Sequence, residues 1–170
     1  MRLFFSAVVL SLFLGLAHAQ GVSANYEVIV SQNGNAFVLA TFSGIGTTEV
    51  PLPSDVSSPY VKGALYTKSD HSITLSVTAD RVATVSYRTD GLTRKSGNIW
   101  SFSLALPANL TNAYASVALP KSTSVSKTNP SDGIVMSEED SLVVAWASGP
   151  GLKEVTLEYE FARETPPSPP

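Results

Sequence analysis

The sequence predicts an all-β protein, a two-sheet immunoglobulin-like sandwich of about nine or ten short, mostly antiparallel strands, preceded by a signal-peptide helix. Three observations carry this expectation. After residue 24, apolar and polar residues alternate with a period of two, as strands with one buried and one solvated face require. Gly, Pro, Asn and Asp clusters break the alternation at near-regular intervals, the spacing of sandwich turns. No 3.6-residue apolar period occurs beyond the leader.

The elements follow in order. Tyr26, Val28 and Val30 share one face, with Glu27, Ile29 and Ser31 opposite. The Asn33-Gly34 pair suits a type I′ hairpin turn, and Ala36 to Phe42 forms the return strand. Gly44 and Gly46 interrupt the pattern before a short strand, Thr47 to Leu52, which Pro51 confines to a sheet edge. Tyr60 to Tyr66 is weakly patterned. Ile73, Leu75 and Val77 then oppose a hydroxyl face of Ser72, Thr74, Ser76 and Thr78, and Ala83, Val85 and Tyr87 line the following strand. Asp90-Gly91 opens a loop through Gly97. Trp100, Phe102, Leu104 and Leu106 mark a strand stopped by Pro107, and Tyr114 to Leu119 one stopped by Pro120. Residues 121–133 form a Ser/Thr/Asn/Pro loop, and Ile134 to Met136 a short strand. Leu142, Val144 and Trp146 point inward in the penultimate strand; Val155, Leu157, Tyr159 and Phe161 do so in the last, with Glu154, Glu158 and Glu160 outward.

The ends are not part of the sandwich. Arg2, the 14-residue apolar run Leu3 to Leu16 and Ala17-His18-Ala19 have the layout of a secretory signal peptide cleaved between Ala19 and Gln20. A spanning helix needs about 20 apolar residues. The expected organisation is therefore a signal peptide at 1–19, a β-sandwich domain at 20–163 and a Pro-rich extended tail at 164–170. The expected address is secreted or cell-surface, outside the cytoplasm.

Composition removes several function classes. Lys and Arg total 11 against 14 Asp and Glu, for a formal charge of −3, and cleavage at Ala19 removes Arg2 as well. Nucleic acid and anionic lipid both need clustered cations, so neither is an expected partner. Any membrane contact would come from an uncleaved signal segment or a separately anchored partner. The chain contains no cysteine, which excludes disulfides, thiolate ligands, cysteine nucleophiles and a blue-copper site.

Candidate chemistry is sparse. His71, the one histidine beyond the leader, follows Asp70, but adjacent strand residues point to opposite faces, so an exposed turn histidine is expected rather than an acid–base pair. A Ser-His-Asp triad lacks the Gly-x-Ser-x-Gly elbow. Glu138-Glu139-Asp140 with Asp132 lacks the alternating spacing of a calcium loop, and one histidine without cysteine makes a zinc site remote. Glu154, Glu158 and Glu160 fall on outward positions, where a sandwich carries solvated charge rather than a glycosidase pair. Trp100, Trp146, Tyr87, Tyr114, Tyr159 and Phe161 read mostly as core, whereas Tyr60 and Tyr66 are the aromatics expected at the surface. Asn109-Leu110-Thr111 is the one usable N-glycosylation sequon, since Asn129-Pro130-Ser131 is blocked by its proline. No catalytic, metal or cofactor site is expected.

Several phrases occur together: Val50 to Pro53, Val85 to Gly97, Trp100 to Pro107, Val117 to Pro120 and Leu152 to Phe161. In these the chain resembles the extracellular β-sandwich domain of uncharacterised archaeal secreted or membrane-anchored surface proteins, over roughly residues 22–163. The resemblance rests on core and turn residues, and it implies a fold and an address but no activity. Members of that group often continue into a Pro/Ser linker and a transmembrane helix, whereas this sequence stops at Pro170. The expected function is a non-enzymatic surface module that recognises a protein or glycan through loops such as 54–59, 90–97 and 121–133. The alternatives are a self-assembling structural subunit that lends strand 24–31 to a neighbour and, third, a secreted hydrolase.

Overall fold

The computed structural model describes residues 21–148 and 151–161, so the leader, the Ala19/Gln20 junction, Gly149-Pro150 and the tail lie outside the described residues. The described residues form thirteen strands and no helix: β1 (Gly21–Val30), β2 (Ala36–Pro51), β3 (Tyr60–Lys62), β4 (Leu65–Lys68), β5 (Ser72–Val77), β6 (Ala83–Thr89), β7 (Thr93–Ser96), β8 (Ile99–Ala105), β9 (Leu110–Pro120), β10 (Thr123–Asn129), β11 (Ile134–Ser137), β12 (Ser141–Ser148) and β13 (Glu154–Phe161). They form a sandwich of a nine-stranded and a four-stranded sheet.

The larger sheet runs β11-β12-β9-β1-β2 and forks at β2, whose first half pairs β6 and then β3 while its second half pairs β5 and then β4. The smaller sheet runs β10-β13-β8-β7. Pairing is antiparallel throughout except between β1 and β9, which lie parallel with Val28 opposite Val117. Alternation sets the inward face, and register stacks it. Trp146, Ala115, Tyr26, Ala40 and Val85 form one inner row, in which large and small side chains alternate across neighbouring strands. Phe102, Leu104, Val155, Leu157 and Tyr159 meet them from the smaller sheet in one continuous core.

Four local expectations change. The first hairpin is present, with Val30 opposite Ala36, but the Gly34 amide donates to the Ser31 carbonyl (3.0 Å). Gln32 and Asn33 therefore occupy the corner, and Gly34, at φ +83°, sits after it as a bulge glycine in place of the I′ corner. Gly44 and Gly46 bend β2 rather than end it. Both have positive φ (+109° and +148°), and β2 changes partner from β6 to β5 there. The 90–97 loop contains β7, and the 121–133 loop contains β10. Both strands are polar edges of the smaller sheet, exposed along most of their length, so neither has the apolar alternation that would announce it. Gly63, at φ +80°, splits the 60–66 strand into β3 and β4.

Candidate functional site

Three features could carry function: a shallow depression around His71, a knot of hydrogen bonds tying two loops, and the outer faces of the two sheets.

His71 lines a depression of about 470 Å³ with Glu49, Pro51, Ser72, Leu106, Pro107, Ala108 and Asn109. The arrangement does not make a nucleophile–base pair. Ser72 donates its hydroxyl to Glu49 Oε1 (2.6 Å) and meets Ser69 Oγ at 2.7 Å, while His71 is exposed and its backbone carbonyl accepts from the Leu52 amide. A hydroxyl bonded directly to a carboxylate lacks the imidazole that accepts the proton in a triad. Asp70 is likewise exposed beside it.

Asn109, the sequon asparagine, closes one side of this depression. Its Nδ2 donates to the Thr47 carbonyl (2.7 Å), and its Oδ1 accepts from Thr48 Oγ1 (2.9 Å). The second half of β2 pairs β5 on one side only, so this amide satisfies backbone on the open side. Thr111 of the same sequon donates to the Val22 carbonyl (3.1 Å) and meets Ser23 Oγ.

Asp55 was not singled out by any sequence pattern, yet it organises two of the expected recognition loops. Thr89 donates to its carboxylate (2.6 Å to Oδ1), the Asp90 amide donates to Oδ2 (3.0 Å), and the Gly91 amide donates to Thr89 Oγ1 (2.9 Å). Burial pushes the Asp55 carboxyl up, but these hydrogen bonds outweigh that and hold it below the ordinary carboxylate range. The 54–59 segment is thereby fastened to the end of β6.

The acidic positions stay apart: among the described residues no three His, Asp or Glu side chains converge on a common point. Glu154 accepts from Ser103 Oγ (2.6 Å), Glu158 pairs with Lys127 (3.6 Å), and Glu138 accepts from Ser141 Oγ (3.3 Å). Among the aromatics, Trp146, Tyr26, Tyr87 and Tyr159 are core, while Tyr60 and Tyr66 are exposed as expected. Burial raises the Tyr159 hydroxyl to about 12. Tyr114 differs from its expected place. It lies on the outer face of β9, half-buried, and burial together with the nearby Glu27 charge raises its hydroxyl.

The outer faces separate sharply. On the smaller sheet, one row reads Arg94, Ser101, Glu158, Lys127 across β7, β8, β13 and β10. The corresponding kind of row on the larger sheet reads Phe37, Ile29, Ala118, Val143, Met136 across β2, β1, β9, β12 and β11. Ile29 is 59% exposed, Met136 41% and Phe37 37%, whereas Ala118 is half-buried and Val143 is buried at 5%. Ile134, one row along, is 63% exposed. An antiparallel sandwich normally turns polar residues outward. Exposed apolar side chains grouped on one sheet face, here Phe37 and Ile29 at one end and Ile134 and Met136 at the other, are the usual mark of an interaction surface.

No family model matches the chain, and no curated protein matches it. Among solved structures it is similar to an M1 zinc metallopeptidase from Deinococcus radiodurans, at 10% identity and a TM-score of 0.49, over 83% of this chain and 42% of that one. It is also similar to the folded domain of LppM from Mycobacterium tuberculosis, at 14% identity and a TM-score of 0.47, over 86% and 95%. Native yeast LTA4 hydrolase is a further likeness, at 13% identity and a TM-score of 0.44, over 82% and 28%. The chain thus spans less than half of the metallopeptidase and under a third of the hydrolase.

Proposed function

We propose that the chain is a non-catalytic, exported cell-surface or secreted module that recognises a protein partner through the outer face of its larger sheet. The exposed Phe37, Ile29 and Met136 of the row that also contains Ala118 and Val143 carry this reading. Aliphatic side chains at a sheet face gain by excluding water against another apolar surface, about 1.5–3 kcal/mol for each fully buried Ile or Met. Sugar recognition needs aromatic platforms with convergent hydrogen bonding, and the exposed tyrosines, Tyr60 on β3 and Tyr66 on β4, stand on separate branches of the forked sheet. Strand lending by residues 24–31 gains no support, because β1 is flanked by β2 and β9 and would have to leave the middle of its sheet.

A photo-crosslinking amino acid placed at position 37, in cells that make and export the protein, tests the reading. A discrete heavier species is expected from position 37 and none from the same group at position 103, on the outer face of the smaller sheet. Equal yields from both positions, or none from either, would remove the proposal. An adduct of twice the chain's mass would establish the self-assembling alternative in its place.

A further inference from the structure

The apolar row of the larger sheet ends at β11, and β11 differs from every other described edge. Sheet edges are protected by charge, proline, bulges or brevity. β3 is three residues long, follows Pro59 and ends in Lys62; β4 ends in Lys68; β7 carries Arg94 and Lys95; β10 has Lys127 and a register shift between Val125 and Lys127. The open side of β2 is occupied by the Asn109 amide. β11 is Ile-Val-Met-Ser, as short as β4 and β7 but without their charge and without proline or register shift, and all four residues are exposed.

The hydrogen-bond phase shows which groups it offers. The Glu138 amide donates to the Ser141 carbonyl (2.8 Å). Alternation along the antiparallel ladder then makes Met136/Val143 and Ile134/Ala145 the bonded pairs, so the amides and carbonyls of Val135 and Ser137 point to the open side. The strand is held in place for such a role. Trp146 Nε1 donates to the Pro130 carbonyl (2.9 Å), and Gly133 sits close against the indole, so close that a methyl group there would meet Nε1 at 2.6 Å.

We propose that β11 is a strand-addition site for an extended polypeptide segment with an apolar centre and lysine or arginine at its ends. Ile134 and Met136 on the outer face and Val135 on the inner are each at least 41% exposed, so an added strand meets apolar neighbours on both of its faces. Charge selects its flanks. Asp132 precedes β11, Glu138, Glu139 and Asp140 follow it, and no Lys or Arg occurs between Lys127 and Lys153 in the sequence. The one cation that reaches this turn among the described residues is Lys121, whose Nζ donates to the Glu139 carbonyl (2.7 Å) and leaves the acidic groups in excess. The same charges disfavour a second copy of this chain. Antiparallel pairing of two β11 strands sets Asp132 against Glu138 and Glu139, and parallel pairing sets the acidic run against itself.

This inference rests on the recognition reading and names the kind of partner. The test is fluorescence anisotropy on the exported chain with two labelled, end-blocked peptides, each with a five-residue Val/Ile centre, one flanked by lysine pairs and the other by glutamate pairs. The lysine peptide is expected to bind about tenfold tighter, with the difference shrinking as salt rises. Val135→Pro removes an outward donor while sparing the ladder to β12, and it should abolish binding. Glu139→Lys with Asp140→Lys, both on an exposed turn, should reverse the preference and covers the case in which the proline variant misfolds. Equal binding of the two peptides, or a folded Val135→Pro protein that binds as before, overturns the proposal. Ile29→Lys separates the two readings. Binding lost there but kept in Val135→Pro leaves the face and removes the edge, and the opposite result leaves the edge and removes the face.

Discussion

The two outer faces of this sandwich are built from the same strand geometry, yet one aligned row on each carries opposite chemistry. Across the smaller sheet the aligned residues are Arg94, Ser101, Glu158 and Lys127; across the larger they are Phe37, Ile29, Ala118, Val143 and Met136. Neither row is needed to close the core, because the inward residues of both sheets already form one continuous cluster. An exposed ion pair such as Lys127–Glu158 adds about 0–1 kcal/mol. An exposed isoleucine gains nothing from folding at the surface and risks association. The difference therefore points away from stability and towards contact. On the proposed reading the apolar face is the one that meets a partner.

The largest effect that bears on this comparison lies beneath both faces. Phe42→Ala in the larger sheet and Phe102→Ala in the smaller should each cost about 3–5 kcal/mol in denaturant unfolding. Phe42 is fully buried edge-on to Tyr26 (5.8 Å between ring centres), and Phe102 is buried to the same degree. A much smaller cost on one side would mean that the two interiors differ as well as the exteriors. Next comes Gly44→Ala, at the bend where the larger sheet forks. Its φ of +109° and the approach of the Gly21 carbonyl oxygen leave no room for a side chain, so a loss of about 1–3 kcal/mol is expected by thermal or chemical unfolding.

The face exchange itself should hardly register in stability. Ile29→Lys and Ser103→Ile are each expected within about 0.5 kcal/mol of the parent. Fluorescence of an apolar dye should fall with the first and rise with the second, and a stability change above that range would show that Ile29 serves the fold. The smallest effect is at the loop fastened to β6. Asp55 is held below its ordinary pKa, so its stabilisation is present above the unfolded-state value and is lost as pH falls through the folded one. Asp55→Asn should flatten the acid limb of the pH–stability curve below about pH 4 and leave neutral pH nearly unchanged, because the carboxylate is largely exposed. An unchanged acid limb would mean the loop is held by other contacts.

Much of the fold was legible along the chain. The inward sets at Tyr26/Val28/Val30, Ile73/Leu75/Val77, Ala83/Val85/Tyr87 and Val155/Leu157/Tyr159 all stand as the alternation indicated. The misses share a cause. β7 and β10 are solvated edges held by pairing to β8 and β13, so their own sequences carry no apolar signal. The bend at Gly44 and Gly46 resembled a terminus because glycine serves both ends and kinks. The site was less legible. Asp55 meets Thr89 across 34 positions, and nothing local to either residue announces the pairing.

By itself, the sequence determined the strand class, the inward and outward assignment of the strands with clear alternation and the absence of thiol chemistry, because those depend on a two-residue period and on composition. Ile29 and Val143 could be read as outward and buffered by polar neighbours along their own strands. Only the tertiary structure decided that β1 runs parallel to β9, which sets Ile29 beside Ala118 and Ala118 beside Val143, and that β11 is left at an open edge. Register between strands far apart in the chain is set by long-range packing of the whole core. A surface assembled across five strands therefore exists only once that packing is complete.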